Sequence, residues 1–525
     1  MNLLSCTFLI PFLTALVILL FVPRTMRGVV RWTALAGSFA TMICGIILFC
    51  SYGGALDANY SGYKFEHSVP WVSLSFGVSA LNINYHIGVD GINLGLVVMG
   101  TIVAFAATCL SNGIRRLEKE YYFLLMVMIG GILGAFCSLD LFFFYFFHEL
   151  ALVPTFIMIG VWGQGADRNY ATFKITIYLS VGALLALVGL VMLYLATGVN
   201  SFDIVTLTNH VRENPIGWQD QQLIFPFLLF GFGILVSLWP FHTWAPTGYA
   251  HAPTATAMLH AGVLKKFGLY GLLRVAIPLM PQGAAAWLEC LALLCLGNII
   301  YCGLVAIRQK DLNFLIGNSS VAHMGFIFLG IASLTIVGVT GAVVLMVAHG
   351  LLAALTFGIS GWIRENTGTT EIDRMGGFLK ATPFVGTITI AAMMAGCGLP
   401  GFGNFIGEFM VLFGSWKAFP LVTGIAIWGG LVIGAVYMLR AIRNIVHGEL
   451  SSEWETMRDA SFMRKVPFAL LTASLLLIGI VPGLLTDKVK GSVESIVEMA
   501  THKPVKKLRK MEGTRLAQTD GEENR

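Results

Sequence analysis

The sequence predicts an all-α polytopic membrane protein, and three observations carry that prediction. Hydrophobic residues make up 56% of the 525 and charged residues only 12%, about half the charged share with which a soluble chain covers its surface. Apolar runs long enough to span a bilayer recur about fourteen times, near 3–22, 29–49, 92–110, 121–138, 140–161, 171–195, 223–239, 254–278, 283–306, 312–333, 337–362, 383–416, 419–442 and 467–486. Lysine and arginine gather in alternate connections: Arg24, Arg27 and Arg31, then Arg115, Arg116 and Lys119, Arg308 and Lys310, Arg364, Arg374 and Lys380, and Arg443, Arg458, Arg464 and Lys465. That bias predicts odd-numbered connections in the cytoplasm and both termini outside the inner (plasma) membrane.

The elements follow in order. The first apolar run is read as a retained helix, because Pro23-Arg24 after it makes no small-residue cleavage site. Residues 1–110 hold helices 1–3 with an external loop, 111–280 helices 4–8, 281–445 helices 9–13, and 446–525 helix 14 with a polar tail. Two helices carry breaks. The seventh runs through Ser237-Leu238-Trp239-Pro240, and the twelfth through Gly396-Cys397-Gly398-Leu399-Pro400-Gly401. Proline removes a donor and glycine loosens the helix, so such backbone at membrane depth needs a protein-lined or water-lined cavity. The breaks lie five helices apart, and an odd offset inverts the second copy, which predicts two inverted five-helix repeats with functional sites at Pro240 and Pro400. The tail after about residue 500 is basic and then acidic, and is expected to be disordered or to contact a partner.

Charges inside the apolar runs point to function. Glu149 lies in an aromatic stretch after His148, Lys174 early in the sixth helix, Lys265 and Lys266 mid-helix in the eighth, His323 in the tenth, His349 in the eleventh and Glu408 eight residues after Pro400. An ionised group at such depth costs a few kcal/mol or more unless it faces a cavity or a partner. Lys174 can snorkel to the interface, and a lone histidine is as readily a hydrogen-bonded packing residue. A series of carboxylate, lysine, histidine and carboxylate, however, has the groups a proton relay needs, since each exchanges a proton and burial brings amines and carboxylates toward neutral. Glu289 and Lys417 fall near helix ends and read as interfacial. The nine cysteines form no CxxC pair and read as small buried hydrophobes, and no phosphate loop, dinucleotide fingerprint or iron-sulfur spacing occurs. Any redox chemistry therefore belongs to other chains, and the charge of +5 names no nucleic-acid partner.

At these residues the sequence resembles the antiporter-like membrane subunits of respiratory complex I. The matching segments run from about residue 80 to 445: Val89-Asp90-Gly91-Ile92, His148-Glu149, Pro240-Phe241-His242-Thr243-Trp244, Ala252-Pro253-Thr254-Ala255, Tyr270-Gly271-Leu272-Leu273-Arg274, Ser320 to Gly325, Ala348-His349-Gly350, Met375-Gly376-Gly377, and Gly398-Leu399-Pro400-Gly401 through Gly407-Glu408-Phe409. The resemblance implies a proton-translocating module with no cofactor of its own, driven by quinone reduction elsewhere. NADH, FMN, iron-sulfur clusters and quinone are then expected in partner subunits, beside neighbouring antiporter-like subunits and the lipid bilayer. Glu149 is similar to the family's glutamate that pairs with a lysine on the broken helix, Lys266 to its central lysine, His323 and His349 to its connecting histidines, and Glu408 to the outlet carboxylate.

The chain departs from that pattern. Leu235 stands where the family carries the lysine that pairs with Glu149, Asn313-Phe314 replaces its Lys-Arg, and Asn318 its usual tyrosine. Lys265 occupies a position usually apolar in the family, so it, His242 or His260 is expected to supply the missing cation. A cation/proton antiporter of the multisubunit sodium type and a membrane-bound hydrogenase arm share these helices and stand as the alternatives.

Overall fold

The computed structural model describes residues 2–53, 62–76, 79–450 and 452–501. Among them, twelve helices are long and apolar enough to cross a membrane. In chain order the elements are α1 Leu3–Phe21, α2 Arg27–Ser51, a hairpin of β1 Lys64–Phe76 and β2 Ser79–Val89, α3 Gly91–Cys109, α4 Glu118–Cys137, α5 Leu141–Trp162 and α6 Arg168–Thr197. A short α7 (Ile204–Glu213) precedes α8 (Trp218–Val236) and α9 (Trp244–His251). Then come α10 (residues 254–279, interrupted), α11 (Pro281–Arg308), α12 (Leu312–Ala332) and α13 (Ile336–Thr367). The chain finishes with α14 (Pro383–Gly396), α15 (Gly403–Trp416), α16 (Pro420–Val446), α17 (Phe462–Ile480) and α18 (Gly483–Thr501). With α10 and the α14–α15 pair added to the twelve, the predicted fourteen segments are all present, the seventh being α8–α9 and the twelfth α14–α15.

The inverted repeat is visible in hydrogen bonds. Asp140 caps α5, and the chain beside it bridges to residues 202–204: Leu141 N donates to Phe202 O at 2.8 Å and Ile204 N to Leu139 O at 2.8 Å. Five segments later Asp311 caps α12, with Leu312 N donating to Thr370 O at 2.8 Å and Ile372 N to Lys310 O at 2.7 Å. The two knots lie on opposite faces. The second shares its face with the basic connections, where Arg31 meets Glu118 at 2.8 Å, Arg464 meets Glu365 at 3.0 Å and Arg440 donates to Gln309 O at 2.9 Å. The first shares its face with the hairpin and with both ends of the described chain, where Asn2 Nδ2 donates to Phe65 O at 2.6 Å and Ser492 Oγ accepts from Gly91 N at 3.0 Å.

Three elements on the hairpin face are absent from the sequence prediction: the hairpin itself, α7 and α18. All were hidden in segments too polar to span. α7 buries Ile204, Leu207 and Val211, and α18 buries Leu485, Val489, Val493, Ile496 and Val497, each one stripe of an otherwise polar helix lying on the bundle. Contact with α18 is so close that a Cβ on Gly91 would stand 1.9 Å from Lys488 O, which only glycine permits. The predicted tail beyond residue 501 lies outside the described residues. At the centre of the molecule, α13 is wholly buried along its most apolar stretch and packs against α12, α15, α17 and α3.

Candidate functional site

α10 presents two adjacent lysines because its backbone is reset just before them. A π segment, His260–Leu264, inserts a residue into the helical ladder, and Lys265 and Lys266 follow it at 1% and 0% exposure. Successive residues on a helix diverge by about 100°. Lys266 Nζ accordingly turns back to donate to Ala261 O at 2.7 Å and meets His349 Nδ1 of α13 at 3.0 Å. Lys265 Nζ instead reaches α12, donating to Ser320 Oγ at 2.6 Å and Ser320 O at 3.3 Å, and sits 5.8 Å from the centre of the Tyr249 ring.

From His349 a row of titratable groups crosses the second repeat. The His349 and His323 rings lie 5.4 Å apart, and His323 Nε2 comes within 3.5 Å of Glu408 Oε1. His323 Nδ1 meets Ser319 O at 2.7 Å and Ser319 Oγ at 3.4 Å, while Ser319 Oγ meets Tyr437 OH at 3.3 Å. Beside His323, Glu408 and Tyr437 lies a cavity of about 10 Å³, lined also by Gly396, Gly429 and Gly434, which holds about one water. Lys266, His349, His323 and Glu408 thus form one line of exchangeable protons, held by α10, α13, α12 and α15.

The first repeat is arranged differently. Glu149 Oε1 lies 3.4 Å from His148 Nδ1 of its own helix, and among the described residues no lysine or arginine stands within 4.0 Å of it. Leu235, at the last turn of α8, is buried apolar packing. Lys265, expected opposite Glu149, is committed to Ser320 and makes no ion pair with it. His242 borders Tyr301 with ring centres 5.6 Å apart, and His260 Nδ1 meets Tyr249 OH at 3.2 Å. Lys174 is half-buried with its ammonium 5.5 Å from the centre of the Tyr170 ring. Glu289, in the third turn of α11, and Lys417, at the end of α15, are exposed.

The two breaks are built alike. α8 ends in a left-handed Ser237 with Leu238 N donating to Gly233 O at 2.8 Å, and α14 ends in a left-handed Gly398 with Leu399 N donating to Met394 O at 3.1 Å. Each freed backbone is caught by a buried side chain. Asn298 accepts from Trp239 N at 2.8 Å and donates to Ser237 O at 2.9 Å and Val321 O at 3.2 Å, and His323 Nε2 approaches Gly396 O at 3.3 Å. Pro240 and Pro400 therefore sit in the paired breaks, where buried side chains satisfy the opened backbone.

Sequence reasoning used Asp90 and Arg274 only as markers of resemblance. They form a buried ion pair at 2.6 Å, with Arg274 also donating to Tyr63 OH at 2.9 Å and Tyr270 OH at 3.2 Å. Asp90 simultaneously caps α3 through Ile92 N and Asn93 N, a role its Asp-x-x-Asn spacing announces. Arg274, an arginine inside an apolar segment, signals a partner in the same way Lys266 does. On the hairpin, His86 is clamped between Asp203, which caps α7, and Glu66 at 2.8 Å. Burial alone would lower the His86 imidazole, but the hydrogen bonds and charges of Asp203 and Glu66 outweigh it and raise it. Burial likewise pushes against the Asp203 carboxylate, yet its bond to His86 holds it below the usual range.

Comparison with known proteins follows the same lines. The family model described as NADH:quinone oxidoreductase/Mrp antiporter, TM matches residues 138–434. NADH-quinone oxidoreductase subunit M of Rhodobacter capsulatus is 34% identical over 480 residues, 89% of this chain and 90% of the relative. F(420)H(2) dehydrogenase subunit M of Methanosarcina mazei is 33% identical over 471 residues, 88% of this chain and 92% of the relative. Among solved structures, a chain of respiratory complex I from Thermus thermophilus with bound NADH superposes with a TM-score of 0.84 at 26% identity, covering 95% of this chain and 99% of that one.

Proposed function

The chain belongs to the NADH:quinone oxidoreductase/Mrp antiporter membrane-subunit family, and from that premise we propose that it translocates protons as a membrane-arm subunit, of the M type, of an NADH-quinone oxidoreductase. Quinone reduction in other subunits drives it, and it stands in the arm among neighbouring antiporter-like subunits. NADH, FMN, iron-sulfur clusters and quinone belong to those partners.

The observation that carries this reading is the unbroken row Lys266, His349, His323, Glu408 at the second break. Each neighbouring pair can exchange one proton: the Lys266 ammonium gives its proton to neutral His349, the imidazolium passes it to His323, and Glu408 receives it as a carboxylate. The driving event is a change in the electrostatic field at the row, because a buried charge is stable only while a counter-charge or cavity supports it. Glu149 and Lys174 belong to the loading side, residues 111–280 forming one half and 281–445 the other. The positive-inside bias supports a cytoplasmic basic face and an outer hairpin face with both termini.

The test is redox-driven proton uptake in membrane vesicles carrying the wild-type chain, Lys266→Met or Glu149→Gln, with assembly of the complex checked in each. Loss of uptake in both with the complex assembled is the expected result, and uptake unchanged in Lys266→Met overturns the reading. A different electron donor is favoured by one observation, the likeness to the F(420)H(2) dehydrogenase subunit. NADH-driven uptake separates the two.

A further inference from the structure

Lys265 takes no part in the row that begins at Lys266, yet it is a cation 1% exposed inside the membrane part of the bundle. Its surroundings show what it does. Its ammonium is hydrogen-bonded to Ser320 and stands over Tyr249, whose hydroxyl meets His260 Nδ1 at 3.2 Å. His260 lies about one turn before Lys265, whose N–H donates to His260 O at 3.1 Å, and its π segment packs against α5, where His148 lies 3.4 Å from Glu149. The His148 ring is fixed by stacking on Phe267 at 4.0 Å, one residue beyond Lys266. On the other side, Ser320 adjoins Ser319, which contacts His323 at 3.4 Å.

Three buried polar atoms along this line, Glu149 Oε1, His148 Nδ1 and His260 Nε2, make no hydrogen bond among the described residues, although the first two face each other at 3.4 Å. Buried polar atoms are satisfied in native proteins, and when protein does not do so ordered water does. A purely structural cluster gains nothing from three such atoms in succession. Waters at those atoms would complete a hydrogen-bonded chain along which protons hop.

We propose that Lys265 is a proton-carrying residue that joins the Glu149–His148–His260 group to the Ser320–Ser319–His323 end of the row, a second entry into the same conduit. The inference rests on the proton-translocation reading and deepens it. The step balances as a simple exchange: an imidazolium at His260 becomes neutral as the Lys265 amine becomes an ammonium, and the reverse transfer toward His323 restores the amine. No other bond is made or broken. Ser320 holds the ammonium on the α12 side, and the π segment before Lys265 gives it a direction different from that of Lys266.

The experiment compares Lys265→Gln, Lys265→Met, Lys266→Met and wild type in the assembled complex in vesicles, reading protons taken up per electron transferred. Gln can still donate a hydrogen bond to Ser320 and cannot carry a proton, so it separates a structural tie from a carrier. The expected result is that Gln and Met at 265 both lower the proton-to-electron ratio at least twofold while the complex assembles. A ratio unchanged in Lys265→Gln overturns the inference. If Lys265→Gln does not assemble, Ser320→Ala is read instead, with a lowered ratio expected and an unchanged one overturning. A ratio altered by Lys266→Met but not by Lys265→Gln defeats this inference alone, whereas a ratio altered by neither defeats the translocation reading itself.

Discussion

The two inverted halves share a scaffold and differ in how completely their charged groups are joined. At the second break, Lys266, on the last helix of the first half, hydrogen-bonds His349 of the second half, whose ring centre lies 5.4 Å from that of His323, and His323 comes within 3.5 Å of Glu408, so the row runs on across four helices. In the first half, Glu149 has His148 and Tyr145 of its own helix beside it and, among the described residues, no lysine or arginine within 4.0 Å, and Leu235 fills the last turn of the broken helix with apolar packing. The paired knots at Asp140 and Asp311, and the paired breaks at Ser237 and Gly398, show that the backbone repeats faithfully. Repetition of the frame therefore does not guarantee repetition of the circuit. A single side chain at the crossing point decides whether charges on neighbouring helices meet directly or through intermediaries.

Breaking the continuous row has the largest expected effect. Lys266→Met removes its first member, and the rate of proton transfer through this chain falls by on the order of a hundredfold, the usual loss when a positioned acid or base is removed. Vesicle acidification with assembly controls measures it. Glu149→Gln acts on the half with fewer direct contacts, and a loss of about tenfold is expected in the same assay. An effect at Glu149 equal to that at Lys266 would erase the contrast between the halves.

Asp90→Asn tests the frame rather than the circuit. It leaves Arg274 without its counter-charge at 7% exposure while the asparagine oxygen still caps α3, at a cost of about 3–5 kcal/mol. A lowered thermal midpoint of the complex, with the proton-to-electron ratio of the surviving fraction unchanged, is the expected outcome. The smallest effect is at His86, outside the spans. Its raised pKa means the clamp contributes fully below about pH 6.5 and is lost as pH rises through the higher folded value, while depressed Asp203 keeps its contribution until pH falls below the ordinary carboxylate range. Hydrogen exchange of residues 79–89 should therefore speed up, beyond the intrinsic rate, on the alkaline side of that value. His86→Gln should flatten the dependence.

The sequence by itself determined the number of spans, the two breaks, the alternate basic connections and all four members of the continuous row. These were legible because lipid leaves so few solutions: an apolar run of about 20 residues must be a helix, and a charge or proline inside one needs a reason. Tertiary structure alone decided which charges meet. Adjacent lysines diverge by about 100° around a helix, so the sequence could foresee different neighbours for Lys265 and Lys266 but not which, and one helical step after a π segment sends them to different helices, Ser320 for the first and His349 for the second. The expectation that Lys265 would stand opposite Glu149 could not anticipate that, because direction around a helix depends on the local ladder and on the neighbour that packs there. The hairpin, α7 and α18 escaped for the opposite reason: their apolar stripes are too thin to span, and only the bundle surface that covers them reveals them as structure.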